Sequence, residues 1–297
     1  MSRRRILIIG KTGQVGFELR RSVAPLGDVT ATGSSELDLA REESIYTVLD
    51  WVKPDVIINA AGHTAVDKAE DDRENAEKLN AEAPAVLARY SKQNGVLLVH
   101  YSTDYVFDGT GRRPYLETDP AAPLSVYGST KNRGDEAIRK SGCAHLIFRL
   151  CWVYGVRGRN FFLTMRRLAA SREELRVVSD QRGCPTSSRL IAEATAQALG
   201  QVLRSRSPES YYGTYHLASD GEATWHQFAS KIIELMPAEK RICTQVTPIT
   251  TAEYPTAAVR PAYSVLDCGK LKDTFGIELP HWEAVLELVN EELNTQN

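Results

Sequence analysis

From Arg5 to about Leu150 the chain alternates short apolar runs with amphipathic stretches, and few architectures accept that rhythm. "RILIIG", "DVTATG", "PDVIINAAG" and "VLLVHYST" read as strands. Between them lie "QVGFELRRSVAPLG", with Val15, Leu19 and Val23 on one side, and "EESIYTVLDWV", with Ile45, Val48 and Val52 on one face. "NAEKLNAEAPAVLARYSKQNG" reads as a helical stretch interrupted at Pro84. "SVYGSTKNRGDEAIRKSG" predicts a further helix and "HLIFRLCWVYG" a further buried strand. Strands that are apolar almost throughout must be covered on both faces, and regular β-α alternation implies that they run parallel. The prediction is an α/β fold, a Rossmann-type doubly wound parallel sheet.

Past residue 150 the pattern loosens. "NFFLTMRRLAA", "RLIAEATAQALGQVL", "TWHQFASKIIELM" and "HWEAVLELVNEELNTQ" are helical, and "GTYHLAS" is strand-like. The expected division is a dinucleotide-binding unit of residues 1–151 and 187–218, with a smaller interleaved C-terminal substrate lobe of residues 152–186 and 219–297. A chain of 297 residues can bury a core of that size. Its formal charge of −2 leaves no electrostatic footprint for nucleic acid. No apolar run is long enough for a membrane span. Five scattered cysteines without a C-x-x-C pair argue against a disulfide framework and a zinc site, and make the cytoplasm the expected location.

Gly10, Gly13 and Gly16 punctuate "IIGKTGQVG" at the junction of the first strand and first helix. A dinucleotide turn needs residues without Cβ where the pyrophosphate approaches the backbone, and a helix N-terminus to face it. The spacing is G-x-x-G-x-x-G, and its position favours a cofactor over a plain turn. The second strand ends in Gly33, Ser34 and Ser35, where an acid would hold the ribose diol of NAD. Neither that acid nor an arginine clamp is evident, so NADPH or NADH is the expected cofactor. Asp38 and Leu39 are placed near the adenine, although Asp38 reads equally well as a helix N-cap.

The fourth strand raises a separate question, because "VLLVHYSTDY" ends in hydroxyls, a carboxylate and a phenol. Tyr127 and Lys131 are four apart and share a helix face. An ammonium beside a phenol lowers the phenol's pKa and suits it to proton exchange. Ligands of doubly wound sheets bind at the carboxyl ends of the strands. Thr103 and Tyr127 can therefore converge above one cofactor.

The glycine turn, "NAAGHTAVDKAE", "STDYVFDG", "YGSTK" and "WVYG" together resemble the extended short-chain dehydrogenase/reductases, and within them the dTDP-4-dehydrorhamnose reductase family. "NFFLTMRRLA", "VVSDQRGCPT", "GTYHLAS", "YPTAAVRPAYSVLD" and "LPHWEAVL" extend the likeness over nearly the whole chain. The resemblance implies that Gly13, Gln14 and Val15 lie along the pyrophosphate and that Ala60, Ala61 and Gly62 pass the adenosine and ribose. It implies a catalytic set of Thr103, Tyr127 and Lys131, in which Thr103 bonds the substrate oxygen and Lys131 holds the nicotinamide ribose. Asp104, Tyr105, Val66 and Trp152 would touch the sugar. Arg260 is a candidate for the diphosphate, with a surface arginine as the competing reading. The implied reaction is reduction of the C4 ketone of a dTDP-4-dehydro-6-deoxy-L-sugar, with Tyr127 as the acid. The alternatives are a related reductase of other sugar or C4 stereochemistry, a non-catalytic regulatory protein, and a nucleotide-sugar epimerase.

Two departures stand out. Members often continue "YGKTKLAGE", whereas this chain has "YGSTKNRGDE", a change expected on the less constrained helix faces. Some members are magnesium-bridged dimers. Glu18 matches one bridging glutamate, but Arg189 stands where another acid would be. No magnesium requirement is therefore expected, while a homodimer stays compatible with the likeness.

Overall fold

A computed structural model describes residues 3–295. Strands β1 (Arg5–Ile9), β2 (Asp28–Thr32), β3 (Val56–Asn59), β4 (Leu97–Thr103), β5 (His145–Leu150) and β6 (Gly213–His216) form one sheet in the order β6-β5-β4-β3-β1-β2. Every pairing in it is parallel. All residues of β3 and β4 are buried, which is why both strands begin with apolar runs, Val56–Ile58 and Leu97–Val99, that show no alternation. Between β1 and β3 the winding direction reverses, and that is where a doubly wound sheet opens a crevice. Ile9 is in register with Thr32 on one side and Asn59 on the other, so three strands end together there.

Helix α1 (Gln14–Ser22) follows β1, and α2 (Glu42–Val52) follows β2. The stretch between β3 and β4 differs from expectation. Helical turns run from Arg73 through a π-helical segment, Lys78–Glu82, into α3 (Ala83–Asn94). Pro84 does not interrupt the helix. It stands second in α3, directly after the π-helical segment, and the helical run continues through it. Helix α4 (Val126–Ser141) starts at Ser125, whose hydroxyl accepts the Gly128 N–H at 3.1 Å, and stops at Gly142 in the left-handed region. Helix α5 (Ser188–Arg204) packs on α1.

The expected strand 145–155 is broken after Leu150. Trp152 has φ 42°, and Val153–Tyr154 pairs instead with Thr186–Ser187. The expected C-terminal helices occur as Phe161–Ala169, Trp225–Glu234 and Trp282–Thr295; Gln296 lies outside the described residues. A parallel pair, Glu174–Val178 with Gln245–Ile249, has no counterpart in the expectations. Three apolar clusters result. Two flank the sheet, and the third gathers Trp152, Tyr154, Phe162, Phe228 and Trp282 around the C-terminal helices. Among the described residues no helix is long and apolar enough to cross a membrane.

Candidate active site

A cleft of about 880 Å³ opens at the reversal point of the sheet. Its floor is the glycine turn. Gly10 has φ 97°, and a Cβ there would lie 2.9 Å from the Ala60 carbonyl, so the β1 and β3 ends approach only because Gly10 has none. Gly16 has no place on the cleft wall. A Cβ at Gly16 would lie 2.1 Å from the Gly10 carbonyl oxygen, so this glycine lets α1 pack against the turn. Gly13 is the N-cap of α1 with no side chain capping it and no acid in the first turn. The free N–H groups of that turn fit an anion, which the pyrophosphate of a dinucleotide supplies.

Beside Gly33 at one end of the cleft lies a residue pair that sequence reasoning missed. Glu36 folds back so that its carboxylate accepts the Gly33 N–H at 2.8 Å and pairs with Lys11. The Lys11 ammonium and the Gly33 N–H hold the Glu36 carboxyl down at about 2. An acid is therefore present beside Gly33, contrary to the expected absence, and the cation paired with it is Lys11 and not an arginine. The available signal was "GSSE", a glutamate three residues beyond the N–H it accepts, as in a capping box. Asp38 and Leu39 line the cleft. Asp38 is not a helix cap. Its Oδ1 accepts the Ala40 N–H at 2.9 Å, and α2 begins later, after Arg41.

Ala60, Ala61 and Gly62 line the opposite wall. The next residue, His63, is held by Asn80, a fully buried residue of the π segment. Its Oδ1 accepts the His63 N–H at 2.8 Å, and its Nδ2 donates to the His63 carbonyl and to Thr130 Oγ1 at 3.0 and 3.2 Å. One side chain thus ties the cofactor wall to α4. Nothing in the sequence marks it, because a π turn has no distinctive pattern.

At the reacting end, Thr103, Asp104, Tyr105, Tyr127 and Lys131 all line the cleft. Helix α4 reaches them because Gly128 abuts the turn after β4. A Cβ on Gly128 would be 2.1 Å from the Tyr105 carbonyl oxygen. The Thr103 hydroxyl donates to Asp104 Oδ1 at 3.0 Å and accepts the Tyr105 N–H at 3.2 Å. Asp104 Oδ2 accepts the Cys151 thiol at 3.2 Å. Asp104 is 2% exposed, and burial pushes its carboxyl up to about 6. Its two oxygens are engaged inward, so Asp104 fixes Thr103 more directly than it reaches into the cleft.

The expected lowering of the Tyr127 phenol is not found. Burial pushes it up to about 12, with Asp104 and Asp135 acting the same way and Thr103 alone opposing. The reason is where Lys131 points. Its ammonium donates to the Tyr101 carbonyl and lies 3.3 Å from His100 Nε2, behind β4. Burial brings Lys131 itself down to about 8. The altered segment after Lys131 is also not confined to free helix faces, since Asp135 is fully buried against Ser102 and Arg149.

Val66 and Trp152 line the outer cleft with Phe161 and Trp225, which were not singled out from sequence. The Trp152 ring lies over Trp225 at 3.5 Å between centroids and 8° between planes. Gly183 makes room behind it, because a Cβ there would be 2.5 Å from the Trp152 indole. This pair forms a flat apolar wall. Arg260 is absent from the cleft lining. Its guanidinium pairs with Asp67 Oδ2 at 2.6 Å.

The magnesium question turns on Arg189. Its guanidinium pairs with Glu193 at 3.3 Å and with Glu292 at 3.2 Å. Glu18 is buried nearby, its carboxyl raised by burial and by Glu292 and lowered by Arg21 and Arg189. A fixed cation already occupies the carboxylates, so the donor set does not fit a divalent ion. Among the described residues no three metal-ligating side chains cluster.

Comparison with known proteins agrees with this geometry. Residues 4–295 match the RmlD substrate binding domain family. A dTDP-4-dehydrorhamnose reductase of Burkholderia thailandensis is 46% identical over 98% of this chain and 100% of its own. The crystal structure of a dTDP-4-dehydrorhamnose reductase from Clostridium acetobutylicum superposes with TM-score 0.88 at 36% identity, covering 98% of this chain and 99% of that one. Another from Bacillus anthracis, solved in complex with NADP, gives TM-score 0.88 at 33% identity over 98% and 100%. The chain therefore belongs to the RmlD substrate binding domain family and stands among the dTDP-4-dehydrorhamnose reductases within it.

Proposed function

We propose that the protein is an NAD(P)H-dependent reductase that converts the C4 ketone of dTDP-4-dehydro-L-rhamnose to the alcohol of dTDP-L-rhamnose. The observation that carries this reading is the meeting of Thr103, Tyr127 and Lys131 in the same cleft as the uncapped N-terminus of α1. The N–H groups of Gln14 and Val15 take the pyrophosphate, and Ala60 to Gly62 flank the adenosine and ribose. A bound dihydronicotinamide supplies the hydride. Tyr127 gives its phenolic proton to the oxygen as negative charge develops there. A phenol held near 12 stays protonated at neutral pH, which suits an acid. The Thr103 hydroxyl turns from Asp104 to donate to the same oxygen. Trp152 and Trp225 offer a flat face to the sugar nucleotide, with Val66 and Tyr105 beside it.

The domain division follows the same logic. Residues 1–151 and 187–218 carry the sheet and the cofactor cradle, and the remainder supplies the aromatic wall, supported by the separate apolar cluster around Trp152. A cytoplasmic site of action is supported by five unpaired cysteines. The deciding experiment incubates the protein with dTDP-4-dehydrorhamnose and NADPH or NADH and identifies the sugar by NMR. dTDP-L-rhamnose is expected. The C4 epimer would move the assignment to a related reductase, and oxidation of neither cofactor would end it.

A further inference from the structure

Behind the reacting groups lies a set of buried titratable side chains to which the reaction gives no task. His100 of β4, Asp135 of α4 and Arg149 of β5 are each at most 2% exposed. Asp135 Oδ2 accepts the Ser102 hydroxyl at 2.7 Å and lies 3.6 Å from Arg149 Nε. Its Oδ1 has no hydrogen-bond partner and lies 4.0 Å from His100 Nε2. Asn59 decides how that imidazole is protonated. Asn59 Oδ1 accepts the Ala61 N–H at 3.3 Å, so its Nδ2 is the atom 3.2 Å from His100 Nδ1. Nδ1 therefore accepts, and the ring hydrogen sits on Nε2. Burial and the Lys131 ammonium keep the ring neutral. The Nε2–H thus faces both Lys131 Nζ and the unpartnered oxygen of Asp135.

That arrangement sets two groups against each other. The Nε2–H of His100 can bond a neutral amine at Lys131 but repels an ammonium. Asp135 follows Lys131 by four residues on the same helix face and favours the ammonium. We propose that Asp135, fixed by Ser102 and Arg149, is a positioning residue that keeps Lys131 charged against its burial and against the ring hydrogen of His100. The pKa balance supports this, since Asp135 is the group that opposes the downward push of burial on Lys131. Lys131 is faced by Asp135 from α4 and by His100 and the Tyr101 carbonyl from β4. Arg149 and His145 of β5 and Arg139 of α4 act on it through Asp135.

The kinetic consequence rests on the reductase reading, but the primary test does not. The full-length protein is labelled with 13Cε-lysine, the Lys131 resonance is assigned by Lys131→Met, and its titration midpoint is read without substrate. In Asp135→Asn the midpoint falls by about one pH unit or more, the effect of removing a near opposite charge. In Asp135→Glu, which keeps the charge, it returns toward the wild-type value. An unmoved midpoint in Asp135→Asn, or an equal fall in Asp135→Glu, overturns the proposal. Should Asp135→Asn fail to fold, Ser102→Ala gives the same reading, because it removes the hydroxyl that holds the carboxylate ionised. A downward shift there supports the proposal and no shift overturns it. In the reductase assay the alkaline limb of kcat/KM for the cofactor moves down with the midpoint, and a limb that stays put refutes the role in reaction. A protein with a shifted midpoint but no reductase activity bears out the charge coupling and refutes only the proposed function.

Discussion

Tyr127 is a half-buried phenol whose proton is held by its surroundings, and its replacement separates acid chemistry from packing. Tyr127→Phe keeps the ring, which meets Tyr105 edge-on at 5.8 Å, and removes only the hydroxyl. Turnover should fall by about a hundredfold or more, the usual contribution of a general acid, with cofactor affinity close to unchanged. Steady-state rates and fluorescence titration with NADPH check both halves, and retention of most activity would remove Tyr127 from its role. Glu36 governs a different choice. Its carboxylate repels a 2′-phosphate, while the neighbouring Lys11 attracts one. The wild type should accept both cofactors. Glu36→Gln should shift the NADPH/NADH ratio of kcat/KM toward NADPH by about fivefold, the scale of one exposed charge pair. A shift toward NADH would mean that Glu36 does not face the ribose. Residue identity announced Tyr127 and Lys131 from their spacing. It could not announce that the ammonium would point behind β4, because rotamers of a buried lysine are chosen by the acceptors that surround it.

At the scale of elements, function depends on two helices approaching two loops without intervening side-chain atoms. α1 closes on the Gly10 turn at Gly16, and α4 closes on the turn after β4 at Gly128. Backbone cannot yield as a side chain can. Gly16→Ala is therefore expected to destabilise the fold by about 3 kcal/mol or more and to weaken NADPH binding. Gly95→Ala provides the contrast: nothing lies within 4 Å of the added methyl, and only the φ of 66° resists it. Urea denaturation of the two variants compares them, and equal stability losses would show that the packing argument fails. The three glycines were evident as a turn signal. Their separate duties were not, since one shapes the strand crossing, one caps a helix and one admits it to the turn. The π segment Lys78–Glu82 shows the same limit, because its reason for existing is Asn80 reaching across to His63 and Thr130.

At the scale of the molecule, the surface formed by α1, α5 and the C-terminal helix bears on metal dependence. Arg189 places its guanidinium between Glu193 and Glu292, close to the buried Glu18. Activity and sedimentation should be unchanged by excess EDTA and by added magnesium. Loss of activity or of an oligomer on chelation, restored by the metal, would show that the guanidinium does not stand in for a divalent ion.

Apolar runs of the right length, alternating with helical periodicity, were enough to determine a parallel doubly wound sheet, because no other arrangement covers both faces of such strands. Glycine spacing and the Tyr127–Lys131 interval placed the cofactor turn and the reacting pair on that sheet, since both are local properties of one junction and one helix. Tertiary structure alone decided which way each of these charges points. Buried Lys131 turns to the Tyr101 carbonyl, half-buried Arg260 to Asp67 and exposed Glu36 to Lys11. A buried ammonium such as that of Lys131 needs a partner to offset its lost hydration, and the partners of all three groups lie far away in the chain. The wall of Trp152 and Trp225 has the same origin: 73 positions separate the two rings, and only the folded C-terminal half, with the space left by Gly183, lays one upon the other.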